Sequence, residues 1–264
     1  MRKALWSLFI TFAMAVFFST SVQARAEGLI SWLLEQVDAI QKTQHVAEEI
    51  DPMMWMYERG TQAQEKDARE IAQILEEMGL GSVDEAFIIQ MERDLKEELM
   101  RDFFVTREML ALRFLYHIGC GEYDEAFNWL PSSDAVFALD TELFGGEILY
   151  GDFFKGLNAI CDGDLVFSDI DEDYRDANIE EGTGTIHISF LMNGESYTCD
   201  VQMMYDWFDA SMFNAVSKIT AEKSGERRIY AMYDGMQGLI FVYQTSDWVN
   251  EFIERTGCFL SDSL

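Results

Sequence analysis

The stretch SDIDEDYRDANIEE, residues 168 to 181, crowds seven carboxylates around a single cation, Arg175. Counted from Asp169, the residues Asp171, Asp173 and Glu180 fall at the third, fifth and twelfth positions, the charged ligand positions of an EF-hand calcium loop. Calcium favours a dense set of oxygen ligands, and alternating aspartates can project them from one side of a loop. Three features oppose that reading. Position six, where the sharp turn calls for glycine, is Tyr174, and the usually apolar position eight is Asp176. The flanks LVFS and TGTIHISF also carry strand periodicity, whereas an EF-hand is flanked by helices. The sequence therefore predicts an acidic, solvent-facing connection between two strands. Calcium held by Asp169, Asp171, Asp173 and Glu180 is the competing expectation, and no other cofactor is expected.

Other chemistry is sparse. His45, His117 and His187 are the only histidines, and no two sit at i, i+4 around a glutamate as a zincin requires. His117 falls in an apolar helical run, His187 on the polar face of a strand and His45 at a charged helix end. A serine elbow, a P-loop and an S-x-x-K motif are missing. GTGT at 182–185 leads into a strand, so it reads as a turn and not as a phosphate cradle opening a helix. Cys120 lies three residues after His117, which would suit a thiolate with its base, although neighbours at that spacing are ordinary on any helix. Paired carboxylates for glycoside hydrolysis are assured by abundance among 48 acids, so their presence argues nothing.

Cys120, Cys161, Cys199 and Cys258 are four in number, which permits three disulfide pairings. Each also has apolar neighbours, as a buried thiol would.

The first 26 residues, MRKALWSLFITFAMAVFFSTSVQARA, have the layout of a secretory signal: basic Arg2 and Lys3, an apolar run from Ala4 to Phe18, then small residues leading to Ala24-x-Ala26. Cleavage after Ala26 is the first expectation and after Ala24 the second. A retained anchor is the competing reading, because the apolar run approaches spanning length. The whole chain carries a formal charge of −29, and loss of the signal removes three bases and no acid. Such a chain repels nucleic acid and anionic lipid, so a protein partner is expected, with membrane contact only through an uncleaved signal. Hydrophobic content of 49% and aromatic content of 14% exclude a disordered polyacid.

The elements that must position these residues follow two regimes. From 27 to 161 the period is helical: Ile30, Leu33, Leu34 and Val37 form one stripe, Ile71, Leu75 and Met78 a second, and Ile88, Met91, Leu95 and Leu99 a third. Gly79 and Gly81 end the second helix, and Ser82 with Glu85 predicts a capping box for the third. Thr106 is placed to cap REMLALRFLYHI, which is apolar nearly all round and should be buried, and another helix is expected over about 147 to 160. From 162 to 264 the period becomes two. Ile186, Ile188 and Phe190 lead to an Asn193-Gly194 hairpin turn, and Tyr197, Cys199 and Val201 return on one face. A helix bearing Phe208, Met212, Val216 and Ile219 follows. Ile229 to Met232, Asp234-Gly235, LIFVY and a helix opening at Ser246-Asp247 then repeat the plan, with Asp206-Trp207 and Asp247-Trp248 at equal distances behind the two turns. Trp in the first turn of a helix is expected to pack onto the sheet.

The chain thus reads as an α+β protein: a helical N-terminal half packed with a small antiparallel sheet, built from two β-hairpin-plus-helix units lying side by side. Its expected role is that of an exported, acidic, non-enzymatic interaction module. A hydrolase using dispersed carboxylates and a calcium-dependent surface module are the alternatives.

Overall fold

The computed structural model describes residues 62–96, 105–126, 128–142, 149–234 and 237–264. The signal segment, the Ile30 to Val37 stripe, His45, Leu99 and Gly235 lie outside the described residues.

Helix α1 (Glu65–Glu77) buries Ala68, Ile71, Ala72 and Leu75, and its first turn is closed by the Asp67 carboxylate accepting the Gln64 N–H at 2.7 Å. It stops at Gly79, whose φ of 77° is a left-handed value that a side chain would resist. Helix α2 (Glu85–Lys96) buries Ile88 and Met91. Its start is held by the adjoining Asp84, whose carboxylate accepts the Ala86 N–H at 3.3 Å, in place of the Ser82 expected. Helix α3 (Arg107–Gly119) is capped by the Thr106 hydroxyl, which accepts from the Met109 N–H, and it buries Leu110, Ala111, Leu112, Phe114 and Leu115. Three short strands then interrupt the helical half: β1 (Glu122–Tyr123), β2 (Trp129–Leu130) and β3 (Phe137–Asp140). Runs this short carry no readable period. Helix α4 (Leu149–Ile160) closes this half.

The acidic stretch is itself a strand. β4 runs from Phe167 to Asn178 and pairs antiparallel with β5 (Thr183–Met192), which pairs in turn with β6 (Glu195–Gln202) through the Asn193-Gly194 turn. Asn193 at φ 50° and Gly194 at φ 80° are both left-handed, as a two-residue type I′ turn demands. Helix α5 (Ser211–Lys223) follows, then β7 (Arg227–Tyr233), β8 (Gly238–Thr245) and helix α6 (Ser246–Thr256). The Thr245 hydroxyl caps α6 and left-handed Gly257 ends it.

The expected α+β class and both hairpin-plus-helix units are present, but the hairpins do not share a sheet. The order is β4-β5-β6 in one sheet and β3-β8-β7 in the other. Burial explains the separation. β8 is buried at six consecutive positions from Gly238 to Tyr243, so it needs cover on both faces. On one face Tyr230, Met232, Ile240 and Val242 join the core made by α1, α2, α3 and α6. On the other, Ile229, Ala231, Leu239, Phe241 and Tyr243 meet α4, α5 and the inner face of β4-β5-β6. Helices α4 and α5 each touch both sheets. Among the described residues the layers run helix, sheet, helix, sheet, and of the two sheets only the last leaves a face uncovered.

Candidate functional site

The solvent face of β4-β5-β6 is where the sequence's titratable residues converge. Alternation along β5 sends Ile186, Ile188 and Phe190 inward and leaves Thr185, His187 and Ser189 outward. Register then sets Asp173 and Asp200 on either side of His187, Asp171 beside Ser189, and Asp176 beside Thr185. β4 reaches this register only through two one-residue irregularities, between Ser168 and Asp171 and between Asp173 and Asp176.

His187 is the centre of this face. Its Nδ1 lies 2.7 Å from Asp200 Oδ1 and its Nε2 lies 2.9 Å from Asp176 Oδ2. Hydrogen bonds from Asp200 first and then Asp176 raise the His187 pKa above its ordinary value. Both ring nitrogens are engaged by carboxylates, so neither is available to deprotonate a nucleophile. Arg175 pairs with Asp173, and this guanidinium holds the Asp173 carboxyl below its usual range.

One carboxylate of the stretch turns inward. Glu172 Oε1 accepts the N–H groups of Tyr150 at 2.8 Å and Gly151 at 3.1 Å, and its Oε2 accepts the Tyr174 hydroxyl at 2.6 Å. It thereby caps the N-terminus of α4 from a strand far along the chain, where orphan N–H groups and the helix dipole favour negative charge.

The four residues expected to bind calcium are not brought together. Asp171 and Asp173 are two places apart on the strand, Asp169 sits in the first irregularity at φ 50°, and Glu180 lies beyond the strand in the following turn. Among the described residues no three His, Cys, Asp or Glu side chains are grouped as a metal would require. A loop folds ligands inward onto one point, whereas an extended strand spaces even same-face side chains about 7 Å apart along its length.

The remaining candidates resolve into structure. His117 is exposed and stacks parallel on Phe87 at 3.8 Å. The Cys120 thiol donates to the His117 carbonyl at 3.7 Å, and burial pushes its pKa up, the reverse of an activated nucleophile. All four cysteines are free thiols. Burial raises Cys161 and Cys258 to about 12. The Trp248 indole N–H donates to the Met78 carbonyl at 3.1 Å and its ring stacks on Phe252, so these contacts tie it to the end of α1 and to its own helix, where packing onto the sheet was expected. Trp207 differs, standing ahead of α5 in bridges to Glu142 and Met204.

Two open grooves flank Pro131. One, of about 690 Å³, holds His117, Asp84 and Ser133; the other, of about 670 Å³, holds Trp129, Asp124 and Lys155. Their polar groups serve the fold. Ser133 accepts the N–H groups of Ala135 and Val136, Asp124 accepts those of Ala126 and Asn128, and Lys155 pairs with Asp152. No helix of the described residues is long and apolar enough to cross a membrane.

No protein-family model matches the chain, nor does any curated protein or any solved structure.

Proposed function

We propose that the chain is exported by its N-terminal 26 residues and acts outside the cytoplasm as a non-enzymatic interaction module, taking a basic segment of a protein partner on the outer face of β4-β5-β6. The observation that carries this reading is the register of that face, where, among the described residues of the three strands, Asp171, Asp173, Asp176 and Asp200 stand with Arg175 and His187. The chain's charge of −29 adds long-range attraction for a cationic partner and speeds encounter at low salt. The groove of about 690 Å³ is lined by Asp84 and Asp134, of which Asp84 holds the start of α2 through the Ala86 N–H, so the binding reading is favoured over the hydrolytic one.

Titration of the isotopically labelled chain with a lysine- and arginine-rich peptide, followed by NMR, tests it. Shift changes confined to residues 171–176, 185–189 and 198–202, abolished in a D171N/D173N/D200N variant, support the reading. Changes scattered over the whole acidic surface, or none, reject it. Terminal sequencing of the mature chain tests the export half, and a start at Glu27 is expected.

A further inference from the structure

Beyond partner binding, the same sheet contains a device whose logic follows from valence. A neutral imidazole has one N–H and one lone pair, so it donates to one carboxylate and presents a repulsive lone pair to a second. His187 has a carboxylate oxygen within hydrogen-bonding distance of each nitrogen, Asp200 on β6 and Asp176 on β4. That arrangement is satisfied only by the imidazolium, with both nitrogens donating.

We propose that His187 is a proton-operated clasp joining the two edge strands of the sheet across its central strand, closed when the ring is protonated and opened at the Asp176 end when it is not. The charged groups facing the ring are Asp173, Arg175 and Asp176 from β4 and Asp200 from β6. β5 contributes no other charge to this face. Arg175 is hydrogen-bonded to Asp173 and feels Asp176 only through space, so the hydrogen bonds to Asp176 and Asp200 at this face come from the ring.

Opening is local because β4 is anchored unequally. Its first half is fixed by Glu172 capping α4, and by Asn158, whose amide binds both the N–H and the carbonyl of Phe167 at 2.8 Å. Beyond the second irregularity, Asp176 to Asn178 pair with β5 at its very start, next to the turn that carries exposed Ile179. The clasp is the side-chain tie across this weaker half. Since the carboxylates raise the His187 pKa, the stabilisation is complete below the unfolded histidine value of 6.5 and is lost as pH rises through the higher folded value.

NMR on the purified chain tests the proposal. His187 is expected to titrate above the ordinary histidine value of 6.5, and its midpoint should fall in D200N and, by less, in D176N. Amide exchange at 176–178 and 183–186, corrected for intrinsic rates, is expected to lose protection as pH rises through that midpoint while residues 170–174 keep theirs. In H187Q, or in D176N should H187Q not fold, the pH-dependent loss should vanish. A His187 midpoint at or below the ordinary value of 6.5, or an unchanged midpoint in both Asp→Asn variants, overturns the clasp. So does the same exchange profile in H187Q. Because no partner is present, these outcomes are independent of whether a basic peptide binds.

Discussion

The hairpin of β5 and β6 and the hairpin of β7 and β8 are each followed by a helix, of 13 residues in α5 and 11 in α6. Their surroundings differ throughout. The first is closed by two residues, the second by a four-residue connection in which the Asp234 carboxylate accepts the Gly238 N–H at 2.9 Å. The first takes the acidic β4 as its third strand and shows a face to water; the second takes β3 and is covered on both sides. Helix α6 starts where β8 stops, whereas α5 starts well after β6 and is preceded by Asp209, which accepts the N–H groups of Gln202 and Ser211. A shared local plan therefore did not dictate shared packing. The hydrophobicity of the second face decided which hairpin went to the centre.

The difference should be measurable. The largest effect is expected at Phe241, whose ring packs against Phe137 at 5.3 Å, Phe213 at 5.4 Å and Phe153 at 5.6 Å. Phe241→Ala should cost about 3–5 kcal/mol in urea unfolding, against under about 0.5 kcal/mol for Thr198→Ala on the outer sheet. Comparable losses would mean that the outer sheet face is not free.

Two glycines sharpen the contrast between the β4-β5 and β5-β6 seams. Gly184 has φ 105°, and a Cβ there would lie 2.4 Å from the Asp176 carbonyl oxygen; Gly194 has φ 80° with open space around it. Gly184→Ala adds a backbone clash to dihedral strain and should cost about 3 kcal/mol. Gly194→Ala carries only the left-handed penalty of about 1–2 kcal/mol. Equal costs by thermal unfolding would refute the close approach at the β4 seam. A smaller loss, about 1–2 kcal/mol, is expected for Glu172→Ala, which leaves the first N–H groups of α4 without their carboxylate. Protection of the α4 amides from exchange should fall with it.

The smallest effect separates the helical layer from the sheet by sign. Arg107, Arg255 and Arg69 hold the carboxyls of Glu70, Glu77 and Glu85 below their ordinary range. Stability from these pairs is present above the unfolded carboxylate pKa of about 4.3 and is lost as pH falls through the lower folded values. The His187 contribution is lost in the opposite direction. The three pairs are exposed, so raising salt at neutral pH should mimic much of the acid loss in the melting temperature. A melt insensitive to both salt and acid would show the pairs to be idle.

The sequence announced much of this fold where period and punctuation agreed. Thr106 marked the start of α3, and Ile186, Ile188 and Phe190 marked the buried face of β5. β4 was illegible because its two irregularities break alternation, putting Phe167, Ile170, Glu172, Tyr174 and Ala177 at uneven spacing on the less exposed side. β1, β2 and β3 were too short to signal. Half of the candidate site could have been read. A two-residue turn fixes its partners, and six steps back from Asn193 and six forward from Gly194 land on His187 and Asp200. Asp176 was beyond such counting, because its place depends on the second irregularity. The spacing of Asp169, Asp171, Asp173 and Glu180 misled for the same reason: it was read as though the backbone curled, when it is extended from Phe167 to Asn178.

The two irregularities in β4 have a consequence for how molecules of this protein meet each other. β4 is an edge strand, and an edge exposes unpaired backbone groups on which a second copy could grow a continuous intermolecular sheet. A bent edge offers no straight template, and one lined with Asp169, Asp171, Asp173 and Asp176 makes a like-charged copy of itself a poor neighbour. In encounters between identical chains, the same bent and acidic edge therefore disfavours growth of a shared sheet.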